Sequence, residues 1–263
     1  MPALTGSGSV TAVETDRVDE TAAPGPLGFS APVSDSAPRW GLGAFLLVGL
    51  VYLLSSAAFV VVLAGRGPLS AGMLALAVGA PTVIAAGLAV LITTLRGNGP
   101  RTDLKLHWSW HGVRLGLLFG FGGLFVTVPA SVLYAKVTGP GAKSAVASVF
   151  SGVQASWPWA VAVFALVVFV GPLGEEVIFR GLLWGAVDRR WGRWAALVIT
   201  TVVFALAHLE FTRAPLLVVV AIPIALARLY SGGLLASIVA HQVTNLLPGI
   251  ILMLGVAGVI PMQ

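Results

Sequence analysis

The chain contains no cysteine, which removes disulfides, thiolate nucleophiles and thiolate metal ligands at once. Charge is nearly as scarce: Asp, Glu, Lys and Arg make up 10% of 263 residues, against 57% hydrophobic residues and a mean hydropathy of +0.97. A soluble domain carries about a quarter charged residues, so the composition is that of an all-α, polytopic membrane protein. Lysine is confined to 3 positions beside 12 arginines, in a chain rich in Ala, Gly and Val, a bias that suits a GC-rich bacterial gene. The net charge of +5 and pI of about 10.2 come from basic residues scattered through short loops. That pattern faces anionic membrane lipid and sets topology; it does not make a nucleic-acid surface. No HExxH motif is present, and Ser231 and Ser237 belong to no recognisable nucleophile motif.

Residues 1–38 are rich in Ser, Thr, Pro, Gly and acid and too poor in apolar side chains to form a core. They read as a disordered cytoplasmic tail, and no basic start leads into a signal-type apolar core. From Trp40 onwards, apolar runs near the ~20 residues needed to cross a bilayer follow one another. They fall at 40–64, 70–95, 112–136, 157–187, 193–210, 214–230, 232–247 and 249–261, a transmembrane bundle of about eight spans in a domain of residues 39–263. Gly171–Pro172 predicts a kink or a break in the overlong fourth run. The segment RTDLKLHWSWHGVR, from Arg101 to Arg114, reads as interfacial and amphipathic, with Trp108 and Trp110 at headgroup level. Its His107 and His111 are then solvated or lipid-facing. Counting Lys and Arg by side gives ten against four for a cytoplasmic N-terminus, and an even span count would return the C-terminus to the cytoplasm. Localisation is thus the cell membrane, multi-pass.

Against this background six polar groups lie inside apolar runs. EEVIFR carries Glu175, Glu176 and Arg180; FALAH carries His208; HQVTN carries His241 and Asn245. An ionisable side chain near the bilayer centre costs at least ~2.5–3.5 kcal/mol and marks function more often than not. At ~1.5 Å per residue, Glu175, His208, His241 and Asn245 fall within about 8 Å of one depth. Neighbouring residues on a helix point ~100° apart, so the two glutamates face different surroundings. Glu176 and Arg180, at i and i+4 with the acid first, suit an ion pair, which leaves Glu175 free to meet His208 as the chemical carboxylate. Plainer readings exist for each: a structural Glu–Arg pair, a packing histidine, and His241 with Asn245 as interhelical glue. The GxxxG spacing from Gly116 to Gly120 reads as helix packing. Glu210 and Arg213 read as ordinary loop charges.

EEVIFR, FALAH with Phe204 at its head, and HQVTN are similar, in order, to the EExxxR, FxxxH and HxxxN motifs of the CPBP family. That family groups type II CAAX prenyl endopeptidases, bacteriocin-processing enzymes and bacterial Abi proteins. The resemblance covers a protease-like core of about residues 157–250 and leaves out the first three spans and the tail. It implies an intramembrane endopeptidase in which Glu175 activates water, His208 assists, and His241 and Asn245 stabilise the developing oxyanion. Peptide hydrolysis needs those two elements, a base and donors aimed at the tetrahedral oxygen. The substrate would be a peptide or a membrane-protein segment.

No cofactor is required by this reading. A divalent metal such as zinc would have Glu175, His208 and His241 as its ligands, and the residue types alone leave that alternative open. Two further function classes share the residues. A proton-coupled transporter also uses midplane Glu, His and Arg and broken helices, although no internal repeat is visible. A catalytically idle scaffold or immunity protein would function without Glu175. The sequence does not specify an oligomeric state.

Overall fold

A computed structural model describes residues 38–139 and 144–261. The tail expected over residues 1–38 lies, but for Pro38, outside the described residues. Apolar composition turns almost every described segment into helix, since backbone N–H and C=O groups in hydrocarbon must be satisfied within the segment. The elements are α1 Leu42–Leu63, α2 Ala71–Arg96, the short α3 Pro100–Asp103, α4 Trp110–Thr138 and the short α5 Ala145–Val149. Then come α6 Trp157–Ala165, a π-helical Leu166–Val170, α7 Gly171–Glu176, a second π-helical Val177–Leu183, α8 Trp184–Ala207, α9 Ala214–Ser231 and α10 Leu234–Val256. Among the described residues there is no strand. Ser70 and Ser109 start α2 and α4 by accepting, at Oγ, the N–H groups of Met73 and Gly112.

Six helical stretches are long and apolar enough to cross a membrane, so the sequence count of about eight spans is not confirmed. Two differences account for it. The runs 232–247 and 249–261 are one helix, because α10 continues through Pro248 to Val256. Second, 157–187 and 193–210 belong to one helical stretch of 51 residues, Trp157–Ala207. At ~1.5 Å per residue such a stretch is far longer than a hydrocarbon core of ~30 Å. It is bent at Gly192, whose φ of 82° is left-handed and open to glycine. It therefore makes two crossings.

Hydrogen bonds between segments show which turns share an end of the bundle. At one end Arg39 N–H donates to Arg96 O at 2.8 Å, Arg189 to Trp40 O at 3.0 Å, and Leu234 N–H to Lys105 O at 3.0 Å. At the other, Tyr134 OH donates to Thr212 O, Ala145 N–H to Glu210 Oε1 at 2.6 Å, and Ala155 N–H to Val256 O at 2.8 Å. Arg39, Arg96, Arg101, Lys105, Arg114, Arg189, Arg190 and Arg193 belong to the first end; Arg66, Lys136 and Arg213 belong to the second. The path crosses an odd number of times, so Pro38 and Pro261 lie at opposite ends. If Pro38 faces the cytoplasm, Pro261 faces the other side, because joining the last two runs removes one crossing from the even count expected. Reporter domains fused after Arg190 and after Gln263 are expected to read opposite sides of the membrane. Two reporters on one side would show that the path is wrong.

The helices meet through small residues. A Cβ built on Gly116 would stand 2.6 Å from Val239 Cβ, and one on Gly120 2.7 Å from Val243 Cβ. The GxxxG face therefore packs α4 directly on α10, as its spacing predicts. Gly174 does the same for the site: its Cβ would meet Thr82 Cγ2 at 2.6 Å, so α2 lies against the turn that carries Glu175. Gly116→Ala is expected to destabilise by about 1–3 kcal/mol, the usual cost of overpacking. Gly122→Ala, with nothing within 4 Å of the added Cβ, should not. Melting temperatures in detergent compare the two; equal melting would remove close packing as the reason for the glycine.

The expected break at Gly171–Pro172 is absent. The chain passes through it as continuous helix, with the π-helical segments on either side widening the turns. Gly171 N–H bonds Leu166 O, five residues back, and Pro172, which has no N–H, follows at the start of α7. Between Leu104 and Ser109 the expected interfacial segment is not helical, yet Trp108 and Trp110 project outward. His107 and His111 are exposed.

Candidate active site

α7 and the second π-helical segment bring EEVIFR into the centre of the bundle, where its two glutamates face different environments. The Glu176 side chain is 0% exposed and that of Glu175 is 28% exposed. Arg180 Nη1 donates to Glu176 Oε1 at 3.0 Å, with both side chains sealed from solvent. The same oxygen takes a second donor, His241 Nδ1, at 2.9 Å. Glu176 thus joins α7 to α10 as well as to Arg180.

Phe204 explains its place in the FxxxH motif. Its ring is 2% exposed and lies under the Arg180 guanidinium, with Cζ 4.4 Å from the ring centroid. The ring face supplies attraction to a cation whose Nε and Nη2 have no hydrogen-bond partner among the described residues. Its edges also touch both histidines, with centroids 4.6 Å from His208 and 5.7 Å from His241. One aromatic side chain therefore spaces the cation from the two imidazoles.

The histidines present defined faces. His208 caps α8, and its Nδ1 lies 2.8 Å from Phe204 O. A carbonyl only accepts, so the hydrogen is on Nδ1, and neutral His208 offers a bare Nε2. The next residue, Leu209, has a left-handed φ of 56°, which ends the helix and turns the chain back. His241 directs Nδ1 to Glu176 and Nε2 towards Glu175 Oε2, 3.7 Å away, too far for a direct hydrogen bond. Asn245 Nδ2 donates to Val167 O at 3.0 Å, in the first π-helical segment, and its second amide hydrogen remains available. No hydrogen bond joins Glu175 to His208 among the described residues; the imidazole nearest Glu175 in ionic contact is His241.

Glu175, His208, His241 and Asn245 line one cavity of about 500 Å3. Its wall is otherwise largely apolar, with Val128, Val132, Leu247 and Ile251 among its residues. Glu210 and Arg213 line it too, so the reading of them as loop charges is incomplete. They pair with each other, and Glu210 also accepts Ala145 N–H. Among the described residues no three His, Asp or Glu side chains gather as an ion's ligand set. The two-histidine, one-carboxylate alternative is not assembled here, and no step below runs through a metal.

Arg228, one of the ten basic residues that the sequence count assigns to the cytoplasmic side, is buried. It is 6% exposed, donates Nε–H to Arg180 O at 3.1 Å and lies 5.2 Å from the Trp184 ring. It holds a carbonyl of the π-helical segment whose side chain anchors Glu176. The available signal was an arginine inside the apolar run IALARLY, before the glycines that end α9.

Residues 157–247 match the model of the Rce1-like family, described as type II CAAX prenyl endopeptidase Rce1-like. The CPBP resemblance holds over that segment. The match contains all three motifs, from Glu175 to Asn245, and leaves α1, α2 and α4 outside. Within the Rce1-like segment lie the carboxylates, both histidines and the asparagine, whereas α2 and α4 contribute the opposite cavity wall. No curated protein and no solved structure matches the chain.

Proposed function

We propose that the protein is an intramembrane endopeptidase that hydrolyses a peptide bond with water activated by Glu175. The observation that carries this reading is the contrast between the glutamates: one faces a cavity beside two imidazoles, and the other is sealed in an ion pair. A membrane ion pair alone would need no cavity, and a packing glutamate would need no second carboxylate beside it.

In this mechanism Glu175 takes a proton from water as the hydroxyl adds to the substrate carbonyl carbon. The carbonyl oxygen becomes an oxyanion, for which Asn245 has a free amide hydrogen and His241, when protonated, has Nε2–H. Glu176, bonded at Nδ1, orients the ring so that Nε2 faces Glu175 and the cavity. Collapse breaks the C–N bond, and the leaving nitrogen takes up the proton through Glu175 or the Nε2 face of His208. Products are a free carboxylate and a free amine. Peptide or membrane-protein segments suit a largely apolar cavity of this kind, and lipid surrounds the bundle.

His208→Ala and His241→Ala are each expected to cut peptide turnover by about 10²-fold or more while inserting into the membrane normally. Peptide turnover by purified variants, beside membrane-fraction yields, checks this. Near-normal turnover by either would remove that histidine from the mechanism.

A further inference from the structure

The cavity lies in one half of the bundle. On α4 its lining begins at Leu124 and ends at Val132; on α10 it begins at His241 and ends at Ile251. Both helices run from the basic-rich end to the other, so the lining lies in the far half of α4 and in the middle and far part of α10. α2 and α9 run the opposite way and contribute their early residues, from Val78 to Thr82 and from Leu216 to Val220. At the end remote from the basic residues the lining includes the Glu210–Arg213 pair and Ser144 at the start of α5, which we take as the mouth. On the basic side of Glu175 the interior is closed. Glu176, Arg180 and Leu182 are 0% exposed, and Leu183 and Trp184 are 2% exposed.

Short loops rich in Lys and Arg stay in the cytoplasm. Among the described residues the basic end holds eight such residues besides the buried Arg228, and the cavity end three. We infer that the cavity opens to the extracytoplasmic side, and that its substrate is an apolar polypeptide segment presented there rather than a lipid-anchored C-terminus displayed in the cytoplasm. The substrate half of this inference rests on the endopeptidase reading; the side on which the cavity opens does not. A cytoplasmic substrate would have to pass the sealed layer of Glu176, Arg180 and Trp184, whereas an extracytoplasmic one meets Glu175 directly from the mouth. The wall chemistry agrees, since Val128, Val132, Leu247 and Ile251 suit an extended apolar segment.

The absence of native cysteine permits a direct test on the full chain. Three single-cysteine variants are made: Ser131→Cys in the cavity wall, Val259→Cys beyond α10 and Arg190→Cys in the turn at the basic end. A membrane-impermeant maleimide is applied to intact cells and then to permeabilised ones. Val259→Cys and Ser131→Cys are expected to react in intact cells, and Arg190→Cys only after permeabilisation. The reverse pattern would overturn the inferred side, and a Ser131→Cys that reacts under neither condition would overturn an open cavity. The purified Ser131→Cys protein is then assayed on a peptide library before and after modification. Loss of turnover on modification, with Arg190→Cys unaffected, supports entry of the substrate by this mouth; unchanged turnover overturns it. If the unmodified wild type cleaves nothing, the endopeptidase reading and the substrate class fall together, while the labelling still decides the side.

Discussion

Glu175→Gln is expected to lower peptide turnover by about 10²–10⁴-fold, the range for loss of a general base, with little loss of stability. The amide keeps the size and polarity of the carboxylate but cannot take a proton from water. Stability should survive because the Glu175 side chain is partly exposed to the cavity and its one ionic neighbour, His241 Nε2, stands 3.7 Å away. An amide is also cheaper to hold in an apolar bundle than an ionised carboxylate. Turnover and thermal melting in detergent, measured on one preparation, check both halves. An active Glu175→Gln beside an inactive but stable Glu176→Gln would mean that the two carboxylates have each other's roles.

The second large effect is on stability and belongs to Glu176 and Arg180. Both are fully buried, 3.0 Å apart. Removing one partner of a buried pair leaves an uncompensated charge and commonly costs ~3–5 kcal/mol. Glu176→Gln and Arg180→Met are each expected to lose stability or expression on that scale. The double replacement should recover part of it, since neither charge then remains alone. It should not recover turnover, because His241 Nδ1 still lacks the carboxylate that it meets at 2.9 Å. A purely structural pair would predict that activity returns with stability. Recovery of both would therefore remove Glu176 as the group that positions His241, and no recovery of stability would remove the pair itself.

The pairing of Glu176 with Arg180 was legible in the sequence because i and i+4 on a helix are neighbours whatever the tertiary structure. The same holds for the glycine face of α4, where absence of a side chain can only help close approach. Contacts between distant helices were not legible. His241 reaches Glu176 and Asn245 reaches Val167 O because α10 packs along the π-helical stretch, and hydropathy carries no information on which spans touch. Depth counting brought His208 to the level of Glu175, but rotation about α8 turns its Nδ1 to Phe204 O. The burial of Arg228 was not legible, because a positive charge near a span end serves topology as readily as structure. The sequence divided the last helix at Pro248, where a transmembrane helix tolerates a proline that would end a soluble one. Glycine at position 192 sits between arginines and tryptophans, so the turn it makes was legible from charge as much as from backbone freedom.

The central claim, hydrolysis by water in this cavity, is tested most directly by incubating the purified, folded wild-type protein with a peptide library in heavy-oxygen water. New peptide termini are followed by mass spectrometry, with Glu175→Gln beside it. The account predicts new C-termini that carry the heavy oxygen, produced by the wild type and nearly absent with the variant. A folded wild type that produces no new termini, or termini formed equally by both proteins, would contradict it.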